Sequence, residues 1–310
     1  MLISKLKRLA TENQTIVILA GIILGLVFPQ TLKYLNAFST QLLILVFFFS
    51  SLRLSLNEVT SYAKDWRMLF FAATYMLVIM PFAVFIPASL LSYPWAVALM
   101  IVAAMPTGMT IALMAEFFGG KTSLALVITT VTSLLAPFTI PIVTQITVGQ
   151  AVEIDTLRMF WSLFLTIVAP FALAMLVKRA TPKQVTKYDA WWRNLSVAAF
   201  GVLITGIVAA SSSGGNVAIT GFDVFMMLFS MALLGALTWA GFYLAPWRPD
   251  ADRMTIALCM LYMNNTLALF IGSKFFAHLG VVPIQILLLL VVNALLPFVK
   301  VSAAYVLHKK

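Results

Sequence analysis

Long apolar stretches, separated by short polar ones, follow each other along almost the whole chain. A helix needs about 20 apolar residues to cross the hydrocarbon core of a bilayer, and ten stretches come close to that length or exceed it. Their approximate bounds are 14–29, 36–56, 67–92, 94–118, 122–148, 157–178, 190–211, 219–246, 253–278 and 281–307. The pattern therefore predicts an all-α polytopic membrane protein with ten transmembrane helices.

Two of these apolar stretches are interrupted by residues that disturb a helix. Pro106 and Gly108 break the fourth, because proline lacks a backbone donor and glycine loosens the helix. Asn264 and Asn265 interrupt the ninth. Broken backbone at membrane depth is tolerated only where protein or a water-filled cavity satisfies the freed polar groups. We therefore expect the chain to be organised around these two breaks.

Short motifs recur in the same order in the two halves of the chain. Met109–Leu113 resembles Asn265–Leu269, each is followed by a Phe-Phe pair, and Ser133–Phe138 later resembles Asn293–Phe298. Five spans per half force the halves into opposite orientation, which predicts two inverted five-helix repeats rather than chance recurrence. In the sequence, residues 1–180 then hold the first repeat plus span six, and residues 181–310 hold the remainder of the second.

Composition and charge support a membrane location. The chain is 62% hydrophobic and 10% charged, whereas a soluble domain is about 45–50% apolar and about 25% charged. The net charge of +10 comes from short loops between spans, so we attribute it to topology and expect no nucleic-acid partner. With both termini inside, every Lys and Arg lies on the inner side except Lys33, Arg158 and Lys274. This predicts a multi-pass protein of the cell (inner) membrane with cytoplasmic termini.

Catalytic and metal-binding signatures are missing from the sequence. His278 and His308 are the two histidines, both at span ends, and there is no HExxH, CxxC or glycine-rich phosphate loop. The acidic residues fall at or near predicted membrane edges. We therefore predict that the protein is not an enzyme and needs no cofactor, and we keep a membrane enzyme or sensor without transport as the alternative of another class.

Uncharged polar residues at membrane depth are the candidates for a site. Thr130 and Thr132 in the fifth span are expected to bond back to their own helix. Asn264 and Asn265 are different, because two adjacent amides point to different faces and need several partners each. We expect them to line a cavity at the break. The N-terminal end of a half-helix there suits an anionic group, and freed carbonyls suit a cation.

With these motifs in order along nearly the whole chain, the sequence resembles the bile acid:sodium symporter family and its bacterial members. The likeness rests on five stretches of the sequence. They are the Phe-Phe-Phe and Leu-x-Leu pattern of 47–54, Val78–Pro81, the break at Pro106–Gly108, Leu124–Pro137, and Met263–Ala268.

The resemblance implies a core domain of spans 3, 4, 5, 8, 9 and 10, in which helices 4 and 9 are broken and cross. A panel domain of spans 1, 2, 6 and 7 would move against it, with substrate between them. Carried over to this sequence, the substrate-binding residues are Gly108, Thr110, Asn265 and Asn293. The resemblance also carries over Thr129, and we predict Thr129, Thr130, Asn264 and Asn265 as the ion-binding residues from the oxygens they offer.

The sequence departs from the family at the positions that the resemblance assigns to sodium ligands. These positions are apolar here: Met76, Ile111, Ala112, Ala125 and Met260. A sodium site needs several oxygen ligands, and a carboxylate to offset the loss of hydration. Sodium binding would therefore depend on the four polar residues named above together with open backbone carbonyls.

The function predicted on these grounds is secondary active transport of a small organic anion, a bile-acid- or pantoate-like carboxylate, by alternating access. The alternative within the same fold is a proton-linked or uncoupled carrier or facilitator. The expected partners are the organic anion and the lipid bilayer, and the protein is expected to be a monomer.

Overall fold

The structure is a computed structural model that describes residues 16–17, 19–54, 65–108, 111–149, 153–213 and 219–307. Within these ranges the chain is almost entirely helical, and the described residues form no strand longer than a single backbone pair. The predicted Thr110 and His308 lie outside the described residues.

Among the described residues, six helices are long and apolar enough to cross a membrane by length and composition. In chain order they are α2 (Pro29–Ser51), α3 (Trp66–Ser89), α6 (Thr122–Val148), α7 (Thr156–Ala180), α9 (Asp189–Ser212) and α10 (Gly221–Phe242). The prediction of an all-α protein with several membrane spans is therefore confirmed. The count of ten spans and the inverted repeat stay predictions.

The other helices are α1 (19–27), α4 (Tyr93–Ala103), α5 (Ile111–Phe117), α8 (Pro182–Lys187), α11 (Asp250–Leu261), α12 (Asn265–Phe275) and α13 (Val281–Leu307). They include short ones, the pieces of the two broken spans and α13, whose range matches the tenth predicted span; a 3-10 turn (Ala277–Leu279) precedes α13. The predicted fourth span consists of α4 and α5, and the ninth consists of α11 and α12. Both pairs are separated at the breaks that the sequence indicated.

Two compact units divide the chain. Unit one comprises residues 1–54 and 164–217, over their described parts, and unit two comprises 55–163 and 218–310. Unit one thus contains α1, α2, most of α7, α8 and α9. The division falls inside α7, where a π-helical segment begins at Phe164. The sequential division at residue 180 and the panel and core domains remain predictions.

Unit one is held together by close approach of small residues. A side-chain carbon added at Gly21 would lie 3.0 Å from the Gly201 carbonyl oxygen, and one at Gly25 would lie 2.9 Å from that of Thr205. Glycines let α1 and α9 approach backbone to backbone, which is how membrane helices gain packing without a hydrophobic driving force. The Ser50 and Ser196 hydroxyls, 2.8 Å apart, add a hydrogen bond between α2 and α9.

Unit two is built around a helix that is buried on all sides. Every residue of α4 from Trp95 to Ala103 is buried, and a helix that is apolar all round belongs in an interior. The neighbouring α6 carries Pro137 and Pro141 without ending. Its threonine hydroxyls donate to carbonyls one turn back, as Thr144 does to Ile140 at 2.9 Å. These two helices fix the position of the first break.

Candidate functional site at two paired helix breaks

The first break lies between α4 and α5. The helical hydrogen bonds of α4 end with the amide of Ala104, which donates to the Met100 carbonyl at 2.8 Å. Pro106 then has no backbone donor to continue them. Because this stretch is buried, its remaining polar backbone groups need partners from elsewhere in the molecule.

Those partners come from the second break. The Gly108 amide donates to the Tyr262 carbonyl at 2.7 Å, and the Asn264 amide donates to the Pro106 carbonyl at 2.8 Å. Thr107 and Met263 face each other as an antiparallel backbone pair, and both are buried. Each break therefore satisfies the freed backbone of the other, which is the condition for broken helices at membrane depth.

Gly108 is required by this close approach. A side-chain carbon at this position would lie 3.1 Å from the Tyr262 ring and 3.2 Å from the carbonyl oxygens of Tyr262 and Met263. The structure thus gives Gly108 a packing role at the break. Its predicted role in binding substrate stays a prediction.

A third element, α6, contacts the first break through hydroxyl groups. The Thr132 hydroxyl accepts from the Thr107 amide at 3.4 Å while it donates to the Ile128 carbonyl at 2.7 Å. The Thr107 hydroxyl donates to the Cys259 carbonyl of α11 at 3.4 Å. Sequence reasoning missed Thr107, although a polar residue between Pro106 and Gly108 was a signal. It also assigned Thr132 only the bond to its own helix, which is present.

The two adjacent asparagines at the start of α12 have different environments. Asn264 is buried, and its side-chain oxygen accepts from the Leu267 amide at 3.1 Å, so it caps α12. Asn265, in the first turn, is half-buried. Its side-chain oxygen is buried and has no hydrogen-bond partner among the described residues. The side-chain oxygen of Asn265, unlike that of Asn264, is therefore not used in holding together the described part of the chain.

Ser133 has the same property on α6. It is buried, and its hydroxyl oxygen has no hydrogen-bond partner in the described ranges. A buried polar atom without a partner costs about 1–3 kcal/mol. Ser133 follows Thr132 on a helix, so its side chain points to a different face from that of Thr132. Sequence reasoning had not assigned a role to Ser133.

Thr129 and Thr130, the predicted ion ligands on α6, are both buried. Each hydroxyl donates to its own helix at 2.8 Å, Thr129 to the Ala125 carbonyl and Thr130 to the Leu126 carbonyl. The bond expected for Thr130 is therefore present. A hydroxyl that donates keeps its oxygen lone pairs, so these contacts leave both oxygens able to face a cation.

The five apolar positions that stand where the family resemblance expects sodium ligands are well packed. Met76, Ile111, Ala125 and Met260 are fully buried, and Ala112 is half-buried. The Met76 sulfur lies 3.7 Å from the Thr107 hydroxyl oxygen, and the Met260 side chain packs against Gly241 of α10. These positions carry hydrocarbon and thioether groups instead of oxygen ligands.

Asn293, the predicted substrate contact on α13, is exposed, and its amide donates to the Leu289 carbonyl of the same helix at 2.7 Å. Those contacts show no link between Asn293 and the paired breaks. Its role in the substrate crevice stays a prediction, as does that of Thr110.

An ion-pair network lies at the opposite end of α11 from the breaks. Asp252 is fully buried. The Lys121 Nζ lies 3.0 Å from its Oδ1, and the Arg248 Nε donates to its Oδ2 at 2.8 Å. Arg248 also reaches Asp65, 3.4 Å away, at the start of α3. Lys121 precedes α6, so the network joins the starts of three helices. The sequence placed Asp252 at a membrane edge but gave no sign of its burial, and Lys121 is a paired charge rather than a free one.

An apolar groove of about 580 Å³ lies in unit one, apart from any of these polar groups. It runs between α1 and α9, and its lining includes Gly21, Leu24, Phe28, Leu35 and Gly201. The lining has no charged side chain, and its two hydroxyls are those of Thr31 and Thr205, of which Thr205 already donates to the Gly201 carbonyl at 2.8 Å. The candidate site therefore remains at the paired breaks of unit two.

Comparison with known proteins places this architecture among transporters. A protein of Bacillus subtilis (strain 168), named "Uncharacterized sodium-dependent transporter YocS", is 23% identical over 287 residues, which cover 91% of this chain and 88% of that protein. The profile of the Sodium Bile acid symporter family matches residues 40–220, more than half of the chain. The chain therefore belongs to the sodium bile acid symporter family.

Proposed function

We propose that this protein carries a small organic anion across the membrane by alternating access, with the substrate bound at the paired breaks of unit two. Membership of a symporter family makes it a membrane transporter and not an enzyme. The observation that carries the proposal about the site is the pair of helix breaks that satisfy each other at the N-terminal end of α12. The unpartnered Asn265 oxygen beside them would accept from a hydroxyl or another donor group of the substrate.

The chemistry of the breaks favours an anionic substrate. The α12 helix, eleven residues long, begins at Asn265, and its N-terminal end carries positive partial charge and backbone donors. The Asn265 amide adds side-chain donors to the same turn. Neither Ala104–Gly108 nor Tyr262–Ala268 contains an acidic residue that would repel a carboxylate. A bile-acid- or pantoate-like carboxylate fits these groups.

The division of the chain into units supports alternating access. Two compact bodies, each with its own packing, are what a transporter needs if one body is to move against the other. The paired breaks lie wholly within unit two, so a movement of the units would leave their mutual hydrogen bonds intact. The protein would work as a monomer in the inner membrane, with both termini cytoplasmic.

Transport is proposed to proceed without the sodium sites that the family resemblance implied, as a proton-linked or uncoupled carrier. The support for this is the packing of apolar side chains at Met76, Ile111, Ala112, Ala125 and Met260. No cofactor is proposed.

The second candidate is sodium-coupled transport through a rebuilt site. The name of the Bacillus subtilis relative, a sodium-dependent transporter, favours this candidate. The oxygens of Thr129, Thr130, Asn264 and Asn265, with nearby carbonyls, would then be the ligands. A sodium-specific rise in melting temperature separates the two candidates, since only a rebuilt cation site would produce it.

Uptake by proteoliposomes tests the proposed site. Purified protein would be reconstituted, and uptake of a labelled bile acid and of pantoate would be compared with protein-free liposomes. We expect Asn265→Ala to abolish uptake of the transported anion while its melting temperature stays close to that of the wild type. The matched control is Asn194→Ala, because Asn194 is an exposed asparagine of α9 in unit one to which no role in binding is assigned. Wild-type uptake by the Asn265 variant would refute the site, and a wild type that carries no carboxylate would refute the substrate class.

A further inference from the structure

The segment from Lys178 to Arg193, which runs from the end of α7 through α8 to the start of α9 in unit one, is strongly basic. It contains five basic residues and a single acid, Asp189. The basic residues are Lys178, Arg179, Lys183, Lys187 and Arg193. Topology alone explains that such residues are there, but it does not predict how they are held or what they contact.

A small apolar cluster fixes this basic stretch in place. Val185, in the middle of α8, is buried and packs with Leu52 at the end of α2 and Ala174 of α7. The Trp192 ring stacks on the Phe49 ring, with centroids 5.9 Å apart. The stretch is therefore a rigid surface on the ends of three helices, so a ligand that binds it would not have to order a loose loop.

The charge of this surface is not balanced within the described chain. Its one acid, Asp189, forms an ion pair with Arg53, which follows α2, with 3.0 Å between the Arg53 Nε and the Asp189 Oδ1. Arg179, Lys183 and Lys187 are exposed, and none of them forms an ion pair with a described residue. We call these three residues the basic platform. It presents three positive charges on a preformed surface.

The surroundings of the basic platform place it at the level of lipid headgroups. It lies between α7 and α9, both of which are apolar enough to span a membrane. Leu176 and Trp191, which flank it on these helices, are largely exposed, and the Lys187 ammonium lies 5.3 Å from the centre of the Tyr188 ring. Tryptophan and tyrosine favour the membrane–water interface, and the exposed leucine suits an acyl chain.

We propose that the basic platform binds the headgroups of anionic phospholipids, such as phosphatidylglycerol, in the adjacent leaflet. Clusters of Lys and Arg next to a membrane span attract anionic lipid, and each such charge contributes about a fivefold gain in affinity. Here Val185 holds the charged residues in place next to Tyr188 and Trp191. Lipid phosphates would therefore bind charges on a folded surface rather than on a flexible tail. This interaction is independent of the proposed transport function.

Lipid titration of the purified protein tests this inference. Phosphatidylglycerol or phosphatidylcholine would be added to protein in detergent, and the melting temperature followed, since a ligand that binds the folded state raises it. We expect phosphatidylglycerol to raise the melting temperature of the wild type and phosphatidylcholine to have little effect. In R179Q/K183Q/K187Q the half-saturating lipid concentration should rise by about 100-fold. High salt should weaken the wild-type effect, because these charges are exposed.

The matched control is K33Q/R67Q/R158Q, which removes the same number of charges elsewhere and should keep the wild-type response. Equal loss of the response in both triple variants would overturn the inference, as would a basic-platform variant that responds like the wild type. Equal stabilisation by soluble glycerol phosphate would show an ion site rather than a lipid site and would also overturn it. Native mass spectrometry of K183Q/K187Q gives a second readout, in which bound phosphatidylglycerol should fall relative to the control.

Discussion

The two ends of α11 are held in opposite ways. At its start, Asp252 is buried between Lys121 and Arg248, so full charges neutralise each other. Just beyond its other end, the backbone around Tyr262 pairs with that of Gly108 and no charged side chain takes part. Breaking a buried ion pair leaves a charge uncompensated, which costs far more than losing one neutral hydrogen bond. We infer that the charged end fixes the position of α11, while the neutral end keeps a polar group available for substrate.

The largest effect expected from this comparison is on stability at the charged end. Asp252→Asn would leave Lys121 and Arg248 facing each other without the carboxylate and should lower the free energy of unfolding by about 3 kcal/mol, because the pair is buried on the acid side. The measurement is unfolding of the detergent-solubilised protein. Asp189→Asn is the control, since its ion pair with Arg53 is largely exposed and should cost less than about 1 kcal/mol. Equal losses in the two variants would mean that the burial of Asp252 does not matter.

A smaller effect is expected from crowding the neutral end. Gly108→Val places carbon atoms against Tyr262 and Met263, where even a single carbon would lie 3.1–3.2 Å from its neighbours. Forcing extra groups into a packed site typically costs about 1–3 kcal/mol, so we expect a loss of about 2 kcal/mol together with loss of transport. Gly221→Ala is the control, because an added carbon there meets nothing within 4 Å. Unchanged transport in the Gly108 variant would show that the paired breaks need not stay in contact.

The two asparagines provide a finer test of the neutral end. Asn264→Ala removes the cap on α12 and should cost about 1 kcal/mol of stability. Asn265→Ala removes a buried oxygen without a partner and should leave the stability unchanged or raise it. Thermal unfolding of both variants side by side checks this order. The reverse order would mean that Asn265 is structural and that its oxygen is not held available for a ligand.

The two helix breaks of unit two could be predicted from the sequence because each has a local signal. Pro106 removes a backbone donor and Asn264 precedes an apolar helical run, and each effect depends on its own residue. The pairing of Gly108 with Tyr262 could not be predicted in this way, because it joins residues more than 150 positions apart. The burial of Asp252 could not be predicted either, because an acidic residue at a predicted membrane edge has the same sequence surroundings whether it is solvated or buried in an ion pair. The charge of the five basic residues between Lys178 and Arg193 is readable from the sequence, whereas their anchoring by Val185 depends on contacts with α2 and α7.

The smallest effect concerns sodium, and it tests whether the neutral end also serves as a cation site. The buried residues at four of the expected ligand positions, Met76, Ile111, Ala125 and Met260, have apolar side chains. No acidic residue lies in the sequence of either break to offset the dehydration of the ion. We therefore expect replacement of potassium or choline by sodium to leave the melting temperature of the wild type unchanged at two pH values. A sodium-specific rise would contradict this, because a ligand raises the melting temperature only if it binds the folded state. The rise would then have to disappear in Thr129→Val, which removes one hydroxyl ligand, and persist in Thr139→Val, whose hydroxyl is exposed and bonds to its own helix. That result would make the sodium-coupled candidate the function of this protein.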